Sequence, residues 1–358
     1  MVTRVLLIAG GILAGALVIR LLMPVVWWAT GRFRVWRAGP PPVHASEHLI
    51  WRDPGAVTAL DAIYGPGAAG TGPQPPFQFL EEHTTGSQPT VSVRDRQGRR
   101  WRVKWGQEVH CETFAVRIAS ACGYFAEETH FVAAGTIVGA TSLTRARPCI
   151  DEQDGTFHDG RFELDDPAVK KMFEEHSWSW DDNPFVGSKE LSGLKVVVML
   201  LSNWDTKDRR DVARGSNTAI FEHVLPGGWR EARYLLIDWG GSMGRWGNSL
   251  ATRGRWDADA FAEQTPGFVT GIKDGCVTFG YVGQRTADVA EGIPLEHVRW
   301  LSRYLEPLTD DYLFRALRIS GASPEETPRF VAALRDRIGQ LLAVAREDAH
   351  PLAKDRIA

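Results

Sequence analysis

Three short segments between residues 77 and 105 constrain the fold of this chain more than any other feature. Each alternates apolar and polar residues with a period of two, and short polar stretches separate them. This alternation is typical of β-strands, and such short connections predict an antiparallel meander over 77–82, 90–95 and 100–105. In the third predicted strand, Lys104 lies on the face opposite Trp101 and Trp105.

A helical pattern follows the meander at residues 108–123. Its apolar residues recur at helical spacing, and Gly123 stands where a C-terminal cap is expected. Glu112 lies on a stripe of small residues in this segment, soon after the strand that carries Lys104. We therefore expect a carboxylate on a helix that lies close to a lysine on a sheet.

Two buried elements in the second half of the chain are each followed by a carboxylate. A helical apolar pattern ends in the loop 203–207 (NWDTK), and a strand-like run ends in the loop 238–240 (DWG). Short polar loops at the ends of buried elements can meet at one place in a fold. We therefore expect Asp205 and Asp238 to lie at a common polar site.

Helical signals dominate the rest of the second half. Ser188 is placed to cap a helix, and residues 295–308 carry apolar side chains on one helical face. Residues 323–326 (SPEE) form a capping box with proline at the first helical position. Residues 165–175 are compatible with a further helix. The chain therefore reads as strands first and mostly helices afterwards.

The composition excludes several classes of protein. The chain has 358 residues with 44% hydrophobic content, which suffices for the core of two lobes. Its 41 basic and 44 acidic residues form no basic block, so we expect no nucleic-acid partner. The four cysteines lack CxxC spacing, and Cys149 and Cys276 are read either as a pair or as free thiols.

Residues 5–30 are apolar except for Arg20, and they are long enough to cross a bilayer as a helix. We expect an uncleaved single-pass anchor in the lipid bilayer of the cell membrane. A cleaved signal peptide is the alternative, and it predicts a secreted or periplasmic protein. Three arginines directly after the span favour a cytoplasmic location for the remainder of the chain.

The ordered motifs resemble those of the protein-kinase-like superfamily on its atypical side, where secretory-pathway and HipA-like kinases belong, together with bacterial membrane-associated proteins of the same pattern. The resemblance covers residues 77–345. It is carried by VKWG at 103–106, ET at 112–113, GYF at 123–125, NWDTKD at 203–208 and DWG at 238–240.

This resemblance implies an α+β, two-lobed kinase-like fold. Its N-lobe has an antiparallel sheet, its C-lobe is mainly helical, and the N-terminal transmembrane helix precedes both. The predicted parts are an anchor at 1–30, a Pro-rich linker at 31–50, an N-lobe at 51–143, a C-lobe at 144–348 and a tail at 349–358.

The resemblance also implies an ATP-dependent phosphotransferase that uses Mg²⁺ or Mn²⁺. Lys104, paired with Glu112, is expected to contact the nucleotide phosphates. Gly86 and Ser87, in the turn between the first two strands, stand in the place of the glycine-rich phosphate loop.

Three further roles follow from the resemblance. Asp205 is expected to be the catalytic base, Lys207 is expected to support the transferred phosphoryl group, and Asp238 is expected to be the principal metal ligand. The phosphate acceptor stays unidentified.

One position departs from the kinase pattern. Arg210 stands where the pattern places a metal-binding asparagine, and Asn217, Asp208 and Asp211 are the candidate replacements. If none of them binds metal, the chain is a membrane-tethered pseudokinase that binds nucleotide or a protein partner.

A serine hydrolase is the second alternative. Residues 240–244 (GGSMG) match G-x-S-x-G after a strand, with Ser242 as the nucleophile and His297 as the base. The first half of the chain lacks the alternating strand–helix pattern of that fold. The candidate acids of such a triad are Asp257, Asp274 and Asp288.

Overall fold

The computed structural model describes residues 33, 45, 47–58, 61–86, 88–165, 171–172, 177–206, 217–247 and 253–347. The strands are β1 (Glu47–Leu49), β2 (Phe77–His83), β3 (Thr90–Arg94), β4 (Arg100–Lys104), β5 (Thr129–Val138), β6 (Thr156–Leu164), β7 (Lys171–Met172), β8 (Thr218–Val224), β9 (Arg230–Leu236), β10 (Val269–Lys273) and β11 (Cys276–Phe279).

The helices are α1 (Asp61–Tyr64), α2 (Val109–Ala121), α3 (Lys189–Leu200), α4 (Ala258–Gln264), α5 (Thr286–Ala290), α6 (Leu295–Leu305), α7 (Asp310–Ile319) and α8 (Glu326–Arg346), with a short 3-10 helix at Thr265–Gly267.

The predicted meander forms and then closes into a barrel. Strands β2, β3 and β4 pair antiparallel in sequence order, as the alternation predicts. The barrel order is β2-β3-β4-β6-β5, and β2 pairs parallel with β5 to complete it. The expected purely antiparallel sheet is therefore corrected to a barrel with one parallel pair. Its interior is aromatic and aliphatic, with Phe77, Val91, Trp101, Val103, Phe157 and Phe162 at 2% exposure or less.

Strand β6 extends the sheet beyond the predicted N-lobe boundary at residue 143. It pairs with β4 so that Lys104 lies opposite Arg161, and it also pairs with β5. The expected helix over 165–175 is wrong where the structure describes it, because Lys171 and Met172 form the strand β7 against β8.

Helix α2 lies between the barrel and the helical half of the molecule. Eleven of its thirteen residues are buried, because it packs on β5 and β6 on one side and on α3 and α7 on the other. Gly123 ends it at φ +89°, and a Cβ there would lie 2.4 Å from the Arg52 carbonyl oxygen. Only glycine accommodates both this backbone angle and this close approach.

The helical half begins with the capped helix that the sequence predicts. The Ser188 side chain accepts a hydrogen bond from the Leu191 amide, and α3 is buried along most of its length. The box at 323–326 also forms, because Ser323 and Glu326 each accept from the other's backbone amide at 3.1 and 2.9 Å.

A four-stranded sheet of order β1-β9-β8-β7 completes this half. Strand β1, within the predicted linker, pairs parallel with β9. Just after β1, the Trp51 indole donates to the Cys122 carbonyl at 2.7 Å and packs edge-on against Trp300 and Tyr304. The segment at 47–52 therefore connects the C-terminal half to the end of α2.

The predicted membrane anchor and single-pass location require correction. Among the residues that the structure describes, no helix is both long and apolar enough to cross a bilayer. The fold class with a preceding transmembrane helix and the single-pass location derived from it therefore find no support in the described residues. Residues 5–30, on which both predictions were based, lie outside the described part of the chain.

Candidate functional site

The loop that carries Asp205 begins where α3 ends. Ser202 turns the chain at φ +54°, and the Leu201 carbonyl accepts from the Met243 amide at 2.8 Å. The Asn203 side-chain oxygen then accepts from the Asp205 amide at 3.3 Å, so a local turn orients the carboxylate. Backbone and side-chain contacts therefore hold the Asp205 loop against the loop that follows Asp238.

The structure brings Asp205 and Asp238 onto adjoining loops. Asn203 is fully buried, and its side-chain amide donates to the Asp238 carbonyl at 3.0 Å. A Cβ on Gly241 would lie 2.8 Å from the Asn203 side-chain oxygen and 3.0 Å from the Asp205 Cβ. A glycine at this position lets the two loops approach this closely.

Asn217, one of the candidate metal ligands, bridges the same two loops. Its side-chain amide donates to the Asp205 carbonyl at 2.7 Å, and its own carbonyl accepts from the amides of Ile237 and Asp238. It is 3% exposed, and none of the described residues hydrogen-bonds to its side-chain oxygen. A buried amide oxygen between two carboxylate loops is a suitable ligand for a hard cation.

Asp238 opens a tight turn toward helix α2. One carboxylate oxygen accepts from the Gly240 amide at 2.9 Å. A Cβ on Gly240 would lie 2.7 Å from the Glu108 carboxyl carbon and 3.1 Å from Asp238 Oδ1, so both carboxylates border this glycine. The Cys111 thiol, also on the α2 side, donates to the Gly240 carbonyl at 3.4 Å.

Burial holds Cys111 in its neutral form. It raises the pKa of this thiol to about 12, with a further contribution from the Glu108 charge. The thiol is therefore a hydrogen-bond donor that fixes α2 against the Asp238 loop and is not a nucleophile at neutral pH.

The predicted pair between Lys104 and Glu112 does not form. Lys104 Nζ lies 3.2 Å from Glu163 Oε2, and Glu112 pairs instead with Arg161. Arg161 also contacts Glu163 at 3.2 Å, and Arg102 contacts the other oxygen of Glu163 at 3.4 Å. On β4 and β6, Arg102 lies opposite Glu163 and Lys104 lies opposite Arg161, so Glu163 contacts Lys104 from the neighbouring pair of the same two strands.

These contacts form a charge chain from the sheet to the helix, which we call the Lys104 network: Lys104, Glu163, Arg161 and Glu112. Glu163 and Glu112 are 3% and 5% exposed, whereas the Lys104 side chain is 30% exposed. The network is therefore buried except at its lysine. Helix α2 carries Glu112 at one end of it and contacts the Asp238 loop through Cys111.

Several site residues were not identified from the sequence. Glu163 and Arg161 lie in a segment that showed no clear strand pattern. Gln284 donates to Asp205 Oδ1 from a loop nearly eighty positions away in sequence, and no motif marks it. The sequence feature that could have identified Glu163 is its position two residues after Arg161, in a strand that carries several charged side chains.

Some predicted site residues lie elsewhere or beyond the described chain. Gly86 lies in the exposed turn after β2, with φ +96° and open space around it. Ser87, Lys207 and Asp208 lie outside the described residues, so their roles stay predictions. Among the residues that are described, no group of three or more histidine, cysteine or acidic side chains could hold a metal ion.

The hydrolase constellation does not assemble. Ser242 is fully buried, and no described residue hydrogen-bonds to its hydroxyl. His297 lies 2.9 Å from the Ser192 hydroxyl and not beside Ser242. The cysteines Cys149 and Cys276 are free thiols.

No protein-family model and no curated protein matches this chain. Among solved structures, it is similar to a "crystal structure of the Golgi casein kinase with Mn/ADP bound", at 9% identity and a TM-score of 0.34, over 77% of this chain and 74% of that chain. A second structure of the Golgi casein kinase gives 10% identity and a TM-score of 0.32, over 76% and 74%.

Proposed function

We propose that this chain is an ATP- and divalent-metal-dependent phosphotransferase of the kinase-like type. The observation that carries the proposal is the joining of the Asp205 and Asp238 loops by two buried asparagines, Asn203 and Asn217. Helix α2 then connects this pair of carboxylates to the Lys104 network. These are the charged groups that phosphoryl transfer needs: a base, a metal ligand and a phosphate-binding cation.

The residues at the site suit Mg²⁺ or Mn²⁺ that is held partly by substrate phosphates. They suit a metal ion held by protein side chains alone less well. Mg²⁺ is commonly held by one or two carboxylates together with substrate phosphates. Asp238 supplies a carboxylate, and Asn217 supplies the buried amide oxygen that lacks a hydrogen-bond partner among the described residues. When bound, the metal ion would neutralise the charge that develops on the nucleotide phosphates.

Lys104 and Asp205 have separate tasks in the proposed reaction. The ammonium group of Lys104, held by Glu163, binds the nucleotide phosphates. The acceptor oxygen forms a bond to the γ-phosphorus, the bond from that phosphorus to the β,γ-bridging oxygen breaks, and ADP leaves. Asp205, oriented by the amide of Gln284, takes the proton of the acceptor hydroxyl.

The test separates nucleotide binding from catalysis. Calorimetry should detect Mg·ATP binding to the full chain, and Asp238→Ala should weaken it. Asp205→Asn should leave Mg·ATP affinity nearly unchanged while lowering turnover by about 10² or more, the usual contribution of a catalytic base. Glu296→Gln, whose carboxylate is 78% exposed, is the matched control and should change neither quantity.

The outcomes distinguish the alternatives. Absence of Mg·ATP binding would contradict the proposal. Binding without any transfer, to a panel of protein, sugar and lipid acceptors, would instead indicate a pseudokinase. Equal turnover by the Asp205→Asn variant and the unaltered chain would remove Asp205 from its proposed role as base.

A further inference from the structure

A cleft of about 690 Å³ is lined by Trp204, the residue directly before Asp205. Among the described residues that line it, none carries a carboxylate, and two carry a permanent positive charge. We call it the arginine cleft. In the described part of the chain, the lining side chains are Gln107, His110, Trp204, Arg253, Arg255 and Trp256.

Trp204 forms a fixed platform in this cleft. Its indole N–H donates to the Gly254 carbonyl at 2.8 Å, which sets the orientation of the ring. The guanidinium carbons of Arg253 and Arg255 lie 4.8 and 5.4 Å from the centre of that ring. A guanidinium that packs over an aromatic ring keeps its N–H groups at its edge, where they suit the oxygens of a carboxylate or phosphate.

The segment that carries both arginines is held against the loop that follows Asp238. The amides of Trp256 and Asp257 donate to the carbonyls of Ser242 and Met243 at 3.2 and 2.8 Å. Gly244 packs so closely on Gly254 that a Cβ on Gly244 would lie 2.4 Å from its backbone. The positions of the arginines are therefore set by the same loops that form the candidate catalytic site.

Arg255 also joins the cleft to the start of α2. It forms an ion pair with Glu108, whose carboxylate borders Gly240. Glu108 neutralises part of the charge on Arg255, and both arginines are expected to contribute to anion binding. The described side chains that line the cleft include two arginines, and Glu108 is not one of them.

We propose that the arginine cleft binds an oxyanion, a phosphate or a carboxylate, that is part of the acceptor molecule. This inference rests on the proposed phosphotransferase function. Trp204 directly precedes Asp205, so an acceptor anchored by its anionic group in the cleft presents a neighbouring hydroxyl to the Asp205 carboxylate. The acceptor class is therefore anionic and not neutral or basic.

The first experiment uses inorganic phosphate and acetate as probes. Calorimetric titration of the full chain, saturated with Mg·ADP, should show binding of one of them in the cleft. Arg253→Gln should weaken that binding at least about tenfold, the usual loss for a hydrogen-bonded charge. Arg329→Gln, which removes an exposed arginine paired with Asp259, is the control and should bind the probe as the unaltered chain does.

A second pair of variants keeps the two proposals distinguishable. Lys104→Met should weaken Mg·ATP binding and leave probe binding in the cleft unchanged. Arg253→Gln should weaken probe binding and leave Mg·ATP binding unchanged. If neither probe binds, or if Arg253→Gln and Arg255→Gln bind the probes as the unaltered chain does, the cleft inference is wrong although Mg·ATP binding persists. Loss of Mg·ATP binding in the unaltered chain would instead contradict the phosphotransferase proposal. The preferred probe identifies whether phosphate or carboxylate is the favoured anion.

Discussion

Two buried arginines, one in each half of the molecule, are stabilised in opposite ways. Arg337 of α8 is fully buried and donates only to uncharged oxygens, at 2.6 to 3.0 Å. Its guanidinium also lies 3.6 Å from the centre of the Phe261 ring. Burial lowers the pKa of this group to about 9, which leaves it cationic at neutral pH. Its hydrogen-bond partners are Leu200, Ser202, Phe261 and Thr265.

Arg161 of β6 is paired instead with two carboxylates, Glu112 and Glu163. Its network continues to Lys104, which is partly exposed. The contacts of Arg337 form a closed set, because all of its hydrogen-bond partners are buried. The Lys104 network is open, because it ends in a partly exposed group that can contact a ligand. A closed set of contacts indicates a role in stability, and an open one indicates a role in binding.

The largest effect is expected from Arg337→Met. The substitution removes the guanidinium donors of four buried oxygens, two of them next to the Asp205 loop, although the Phe261 carbonyl keeps the Thr265 hydroxyl as a donor. We expect the free energy of unfolding to fall by about 3 kcal/mol or more. Urea unfolding measures this change. Arg329→Met, in the same helix but in an exposed pair with Asp259, is the control and should cost less than about 1 kcal/mol. An Arg337→Met variant as stable as the unaltered chain would contradict the role of Arg337 in stability.

A second closed set, of opposite charge, sharpens the comparison. The Asp95 carboxylate accepts hydrogen bonds from the Trp101 indole and from the backbone and guanidinium of Arg99. Burial alone raises the pKa of Asp95, but these hydrogen bonds and the Arg99 charge together lower it below its ordinary 3.8. We expect Asp95→Asn to lower the free energy of unfolding by about 2 kcal/mol at pH 7.

The pH dependence of this loss has a definite sign. The folded pKa of Asp95 is depressed, so the stabilisation is fully present above pH 3.8 and is lost as the pH falls through the folded pKa. The difference between the unaltered chain and Asp95→Asn should therefore be constant from pH 7 to 5 and shrink below 3.8. Urea unfolding at several pH values checks this, and a difference that grows in acid would contradict it.

The smallest effect is expected at the open network. Glu163→Gln should weaken Mg·ATP binding about tenfold, roughly 1.4 kcal/mol, because Lys104 loses its carboxylate. Glu112→Gln should have a smaller effect, since Glu112 contacts Arg161 and not Lys104. Glu81→Gln, in an exposed pair with Arg100, is the control. If Glu112→Gln weakened Mg·ATP binding more than Glu163→Gln, the result would favour the Lys104–Glu112 pair that the sequence predicts.

The sequence predicted those parts of the fold that short-range patterns determine. The period of two in β3 and β4, the cap at Ser188 and the helical spacing of α2 are all properties of neighbouring residues. Strand β6 keeps the period of two only in part, because residues 158–160 (HDG) interrupt it and Asp159 adopts φ +50°. An interrupted alternation of this kind does not identify a strand in sequence.

The candidate site was predictable to the same extent. Carboxylates at the ends of apolar runs are visible in sequence, and the structure brings Asp205 and Asp238 together. The partner of Lys104 was not predictable, because it depends on the pairing of β4 with β6 across about sixty residues. Gln284 depends on a contact over a still longer separation.

The pairing of β1 with β9 has a consequence for the order of folding. His48 hydrogen-bonds to Tyr234, 186 positions later in the chain. Closing so long a loop carries a large entropic cost, and contacts of this kind form late. During synthesis, residues 47–52 emerge early and have no partner strand until β9 leaves the ribosome. Strand β1, the first that the structure describes, is therefore expected to be among the last to be placed, and it pairs with a strand that the later part of the chain provides.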